Sequence, residues 1–259
     1  MIYGILYFAV IVIANSLGAV SGMGGGVLIK PIFDLIGRDS VAAISFYSSV
    51  AVLTMSVVST LHQMSSGTKL NWKLIVWIAL GAAGGGVLGK NALTWGLLNY
   101  PDMSVLAVQI IVTIITILFA FLNTRMGWES WNLSGWSWYL ACGIVLGFFA
   151  SFLGIGGGPI NVALLMLMFG MPIKQATVYS ICMILFSQAA KVIGVVVAGD
   201  LMFFDLGMLW YIIPAAIIGG FVGSLFSHVL NSKYVEYVFQ GMLLVLILIN
   251  LYNGVRLIV

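Results

Sequence analysis

The sequence predicts an all-α integral membrane protein built from two homologous halves, and three observations carry this prediction. The chain is 62% hydrophobic and only 7% charged, whereas a soluble domain usually carries about 25% charged residues. Glycine-rich and Tyr-Ser motifs recur at a fixed distance along the chain. The apolar runs are too long for strands and lack their alternation. A chain with so few charges needs lipid as its solvent, and its basic residues form no run suited to nucleic acid.

The repeated motifs are 132 residues apart (154 − 22). The glycine motif at 22–26 recurs at 154–158, and Tyr47-Ser48 recurs as Tyr179-Ser180. With small drifts, the glycine pattern at 85–89 matches 219–223, and Gln109 matches Gln240. Because the matches keep their order, we predict a first transmembrane repeat at 1–125, an interfacial linker at 126–136 and a second repeat at 137–259.

Each half divides into five apolar segments that we predict to be helices. They cover 3–21, 25–36, 41–64, 73–95 and 103–122 in the first half, and 137–153, 158–169, 173–197, 206–229 and 234–258 in the second. The second segment of each half is too short to cross a bilayer, whose hydrocarbon core is about 30 Å thick. Since glycines interrupt the helix before it, the first two segments form either a broken helix that crosses once or a re-entrant hairpin.

Loop charges distinguish these alternatives. If each half turns back at its glycines, it crosses an odd number of times and the halves are inverted. One side then holds five basic residues, namely Lys69, Lys73, Arg125, Lys174 and Lys233, and the other side holds Arg38 and Arg256. If the halves were parallel, the basic residues would be divided almost evenly between the two sides of the membrane. The positive-inside rule therefore favours inverted halves with both termini outside. Trp128, Trp131, Trp136 and Trp138 of the linker region are typical of an aromatic belt at the headgroups.

The glycine clusters allow two interpretations. Glycine lets membrane helices pack closely, and Gly18 and Gly22 have the small-xxx-small spacing. Three consecutive glycines exceed what packing needs, however, and an unwound segment that lines a cavity is the functional interpretation. The helices that start after Gly26 and Gly158 would then point their positive ends at this cavity, as anion sites do. Broken helices in inverted repeats are typical of transporters.

Two copies of G-x-GGG near helix breaks, a Tyr-Ser pair on the following segment and an almost wholly apolar chain resemble the sulfite exporter TauE/SafE family. This family is also called the toluene-sulfonate uptake permeases, and the resemblance covers nearly the whole chain. It implies a secondary transporter of sulfite, organosulfonates or related small anions in the bacterial inner membrane. The first copy departs from the family pattern, because Pro31 lies five residues after Gly26.

The candidate substrate-binding residues lie at the glycine motifs or on the segments that follow them. They are Gly24, Gly25, Gly26, Gly156, Gly157, Gly158, Asn161, Tyr47, Ser48, Tyr179, Ser180, Gln188 and Lys191. The hydroxyls of such segments often bond their own backbone instead. Lys191 lies far inside an apolar segment and is either a cation for the substrate or a side chain that reaches the interface. We weigh Lys30 in the same way, and we expect Lys90 to reach the interface.

Other functions lack supporting residues. The sequence shows no His, Asp and Glu grouping at ligand spacing, so we predict no metal, no cofactor and no enzymatic activity. The G-x-x-x-x-G-K pattern at 84–90 continues with Asn91 where a nucleotide site needs Ser or Thr. The remaining alternatives are an anion channel and an intramembrane protein without a transport function. The sequence leaves open the anion, the direction, coupling to a proton or another ion, and assembly as a homodimer.

Overall fold

The computed structural model describes residues 2–66, 71–155 and 157–258, and all regular elements in this part of the chain are helical. The helices are α1 (Ile2–Ser21), α2 (Gly26–Ile36), α3 (Val41–Ser65), α4 (Trp72–Asn99), α5 (Asp102–Met126), α6 (Trp136–Phe152), α7 (Pro159–Phe169), α8 (Ile173–Val197), α9 (Leu209–Val229) and α10 (Ser232–Ile258). Two 3-10 turns, Asp200–Phe203 and Leu206–Met208, precede α9. The predicted segments end within four residues of these helices. The all-α prediction is confirmed.

Seven helices of the described chain are long and apolar enough to cross a membrane. They are α1, α3, α4, α5, α8, α9 and α10, whereas α6 and α7 are shorter apolar helices. Large apolar side chains remain exposed along them, as Trp210 and Leu98 illustrate with 83% and 80% exposure. Lipid solvates such side chains at no cost in free energy, and the chain is a multi-pass membrane protein.

Local sequence explains where several helices begin and end. The Ser40 side chain caps α3 by accepting a hydrogen bond from the Ala43 amide at 3.2 Å, and Asn71 caps α4 in the same way. Both satisfy a helix donor that otherwise lacks a partner. Gly37 and Gly170 end α2 and α7 in the left-handed conformation, which glycine adopts without strain. Polar N-cap residues and C-terminal glycines thus determine where these helices begin and end.

The first two helices of each half form a hairpin. The Tyr7 ring of α1 stacks on the Phe33 ring of α2, with centroids 3.8 Å apart, and the Tyr7 hydroxyl donates to Asp39 at 2.6 Å. In the second half, Tyr139 of α6 contacts Phe169 at the end of α7. A short helix that continued across the bilayer would carry its end away from these partners. Both short helices therefore turn back at the glycines, as in the re-entrant alternative.

Two close helix pairs depend on glycine. Gly81, Gly85 and Gly89 of α4 lie against the backbone of α6, where an added Cβ atom would collide with carbonyl oxygens. Gly219 and Gly223 of α9 lie against α1 in the same manner. The packing interpretation of glycine holds for these helices. Together the two pairs flank α3 and α8, which pack against each other in the interior.

Some of the basic loop residues from which we predict inverted halves lie outside the described residues. Lys69 lies outside the described residues, and so does the side chain of Arg256. Trp131 and Trp136 in the linker region are 60% and 59% exposed. Their exposure agrees with the position expected of an aromatic belt at the headgroups.

Candidate functional site

The two glycine loops, residues 22–26 and 154–158, contact each other in the interior. The Gly158 amide donates to the Met23 carbonyl oxygen at 2.9 Å. A Cβ atom on Gly26 would collide with the carbonyl oxygen of Ile155. Gly24, Gly157 and Gly158 all have positive φ angles of 76°, 145° and 86°, which side chains disfavour. The loops thus need glycine for their backbone conformation and for their close approach. Gly156 lies outside the described residues.

One face of α8 runs past these loops. The Ser180 hydroxyl donates to the Gly22 carbonyl oxygen, and Ile184 occupies the space next to Gly157. Gln188 and Lys191 follow at helical spacings of four and three residues, which keeps them on the same face. Both are almost completely buried. The sequence placed these residues on one segment, and the structure orients them to one side.

Within the described part of the chain, several buried polar atoms around the loops have no hydrogen-bond partner. Asn15 touches Gly25, Ser48 lies beside Gly26, and Asn161 lies beside Gly157. The unpartnered atoms of this region are Asn15 Oδ1, Ser48 Oγ, Ser151 Oγ, Asn161 Oδ1 and both amide atoms of Gln188. Buried polar groups in proteins are almost always paired. A concentration of unpaired donors and acceptors therefore indicates a place for water or a polar ligand.

Lys191 supplies a positive charge to this region. Its ammonium group donates to the Ser45 hydroxyl at 2.7 Å and to the Ser151 carbonyl oxygen at 3.1 Å. Among the described residues, no carboxylate lies within 4.0 Å of it. Because burial removes water from an ammonium ion, an unpaired one costs several kcal/mol. The described contacts leave this charge uncompensated.

Lys30 lies close to the same point but is neutralised. Its ammonium group is 3.0 Å from Asp34, and both side chains are buried. The Lys30 stem and Ser45 both border Gly154, so the pair lies next to the Lys191 contact. A neutral ion pair beside an unpaired lysine leaves one net positive charge.

The predicted tyrosines lie elsewhere. The Tyr47 hydroxyl donates to the Asp205 carbonyl oxygen at 3.2 Å and accepts from the Asp205 amide at 3.0 Å. The Tyr179 hydroxyl accepts from the Asn71 amide at 2.8 Å. Each tyrosine thus binds the chain just before the fourth helix of the other half. The structure brings Ser48, Ser180, Asn161, Gln188 and Lys191 to the glycine loops but not the tyrosines.

Sequence reasoning missed Asn15 and Ser151. Asn15 is the only amide within the apolar α1, and an uncharged polar residue in such a segment is a usable signal. Ser151 contributes its backbone carbonyl oxygen as an acceptor for Lys191, and no sequence signal predicts such a backbone contact. Among the described residues, no group of three or more His, Cys, Asp or Glu side chains is placed to hold a metal ion. The site offers a cation, hydroxyls and amides, which suit a small anion.

Comparison with protein families identifies the family of this chain. The family model described as Sulfite exporter TauE/SafE matches residues 7–250. No curated protein and no solved structure matches the chain. The matched range includes both glycine loops and every candidate residue of the site.

Proposed function

Because the chain belongs to the TauE/SafE family of sulfite exporters, we propose that it is a secondary transporter that moves sulfite, an organosulfonate or a related small anion. The family is a family of membrane transporters, and the multi-pass helical fold fits that function. The site supports a small anion as the substrate, and the choice of sulfite or an organosulfonate comes from the family. We place the substrate between the two glycine loops and the α8 face that carries Lys191.

The observation that carries this proposal is the unpaired charge of Lys191. A cation held in the interior without a carboxylate favours an anion as its partner, since an anion would restore neutrality. The ammonium group has three N–H donors, and two of them bond Ser45 and Ser151. The third donor has no hydrogen-bond partner among the described residues. A sulfonate or sulfite oxygen fits this donor as a charge-assisted hydrogen bond.

The surrounding groups support an oxyanion with several acceptor atoms. The Ser48 and Ser151 hydroxyls and the Gln188 amide can each donate a hydrogen bond, and none of the three has a partner among the described residues. The helices α2 and α7 begin at the loops, so their positive ends face this region. The unpartnered buried side chains lie beside these helix ends, which supports the inclusion of both helix ends in the anion site.

We also propose that the halves 1–125 and 137–259 are inverted copies. Contacts of the first half have counterparts in the second: Tyr47 bonds Asp205, just before α9, as Tyr179 bonds Asn71, just before α4. Likewise, α1 packs on α9 as α6 packs on α4. With one hairpin and three crossings, each half ends on the side opposite its start. Inverted halves around a central site support alternating access.

The proposed function also implies a membrane, a driving force and an oligomeric state. A secondary transporter of this family would work in the bacterial inner membrane, and the gradient of a proton or another ion would drive it. Assembly as a homodimer is compatible with the apolar outer surface. None of these three features changes the substrate site that we propose, because the site is formed within one chain.

A ligand and flux screen tests the function. Purified protein is heated with sulfite, sulfate, methanesulfonate, acetate or chloride, and its Tm is compared with that of the free protein. A ligand at 100 times its Kd stabilises the folded state by about 2.7 kcal/mol, so sulfite or methanesulfonate should raise Tm clearly. Proteoliposomes should then accumulate the same anion with saturable kinetics. If no anion raises Tm and none is transported, the proposed function is wrong, whereas unsaturable flux would indicate a channel.

A further inference from the structure

A cavity of about 290 Å³ leads to Lys191 from one end of the helices. Its lining includes Ser45 and Lys191, which are almost completely buried, and Lys90 and Asp200, whose side chains are 16% and 36% exposed. The first two therefore lie at its inner part and the last two nearer its opening. Ser45 already bonds the Lys191 ammonium group. The cavity therefore connects the proposed substrate site with the protein surface near the 3-10 turn that follows α8.

Lys90 lines this cavity. Its ammonium group donates to the Gly194 carbonyl oxygen at 3.3 Å, and its side chain is only 16% exposed. Gly194 follows Lys191 by three residues, so the two lie on one face of α8, about one turn apart. The two ammonium groups thus border the same cavity at successive depths.

Asp200 is the only carboxylate of the described chain within 4.0 Å of Lys90. The two charged groups are 3.7 Å apart, which exceeds hydrogen-bond distance, and the Asp200 side chain is 36% exposed. Such a pair is weak and easily exchanged, because water competes for both partners. A strong acceptor that arrives through the cavity opening meets Lys90 before it meets Lys191.

We propose that Lys90 is an outer binding position for the transported anion and that Asp200 is its exchangeable counter-ion. This inference rests on the proposed function. An incoming anion takes the place of the Asp200 carboxylate on Lys90 and then moves one helical turn inward to Lys191. Once the anion has reached Lys191, the Asp200 carboxylate returns to Lys90. It then competes with the next anion for Lys90 and slows the entry of that anion. Lys90 therefore raises the rate of access, and Asp200 limits that rate.

The two residues must then have opposite effects. In proteoliposomes, initial uptake of radiolabelled sulfite is measured below half-saturation for the parent, Lys90→Gln, Asp200→Asn and the double variant. Loss of a steering cation lowers association rates by about tenfold or more, so Lys90→Gln should reduce uptake to that extent. Asp200→Asn should increase uptake several-fold, and should have no such effect in the Lys90→Gln background. The equilibrium Kd for sulfite should stay nearly constant in Lys90→Gln, since Lys191 remains.

The control for surface charge is Asp102→Asn, because Asp102 is an exposed acid at the start of α5 and does not line the cavity. It should leave uptake unchanged. A purely structural ion pair would make both single variants slower and lower the Tm of both. That result would overturn the inference, and so would an equal effect of Asp200→Asn with and without Lys90. Parallel measurement of Lys191→Gln separates the proposals: if this variant loses sulfite affinity while Lys90→Gln and Asp200→Asn take up sulfite as the parent does, only the outer position is wrong.

Discussion

Replacement of Lys191 by glutamine tests the central charge of the site. The substitution keeps a polar side chain but removes the ammonium group that donates to Ser45 and Ser151. A hydrogen bond from a charged group contributes about 1.5–3 kcal/mol, and 1.4 kcal/mol corresponds to tenfold in affinity. We therefore expect Lys191→Gln to bind sulfite roughly 10- to 100-fold more weakly.

The same substitution should hardly destabilise the free protein. Burial of a lysine at the centre of a membrane helix costs roughly 2.5–3.5 kcal/mol on insertion scales. The variant removes this cost while it loses the contacts to Ser45 and Ser151, and the two effects oppose each other. The Tm without anion should therefore change little, although the rise in Tm on addition of sulfite should disappear.

Titration of purified protein with sulfite, followed by Tm and by isothermal calorimetry, measures both quantities. Lys174→Gln is the matched control, because Lys174 lies in the first turn of the same helix and its ammonium group donates to the His228 carbonyl oxygen in an exposed position. It should bind sulfite as the parent does. An unchanged Kd in Lys191→Gln would refute the reasoning. A lower Tm together with an unchanged Kd would show that Lys191 only supports the fold.

Two further predictions concern topology and the glycine loops. In a cysteine-free background, single cysteines at the exposed Trp72 and Gly207 should react with impermeant thiol reagents from opposite sides of the membrane; labelling from one side would mean parallel halves. Gly26→Ala should lower both Tm and sulfite affinity, because its Cβ would collide with Ile155. An added Cβ atom at Gly84 would meet open space, so Gly84→Ala should stabilise α4 by up to about 1 kcal/mol. If Gly26→Ala and Gly84→Ala had the same Tm and the same sulfite affinity, the contact between the loops at Gly26 would be excluded.

Most of the helices follow directly from the sequence, because hydropathy acts locally. A run of apolar residues must form a helix in lipid to satisfy its own backbone, so Ile173–Val197 was predicted with its correct limits. The family resemblance likewise depends on short local motifs. Neither property requires knowledge of which helix lies beside which.

The site was predicted only in part, because side-chain direction and partners depend on packing. Tyr47 repeats at the same offset as Ser48 and looked equally suited to the substrate. Neighbouring helix positions point about 100° apart, so Ser48 faces the glycine loop while Tyr47 bonds Asp205. Asn15 was missed because its contact with Gly25 depends on the turn between α1 and α2.

The sequence by itself determined that the chain lies in a membrane, where its helices run and which glycines interrupt them, since these properties depend on neighbours along the chain. Only the tertiary structure decided which charges are paired. Asp34 neutralises Lys30 one helical turn away, whereas Lys191 meets Ser45 from a helix 146 residues distant along the chain. The charge balance of the interior is set by such long-range contacts, and the anion site that we propose is argued from them.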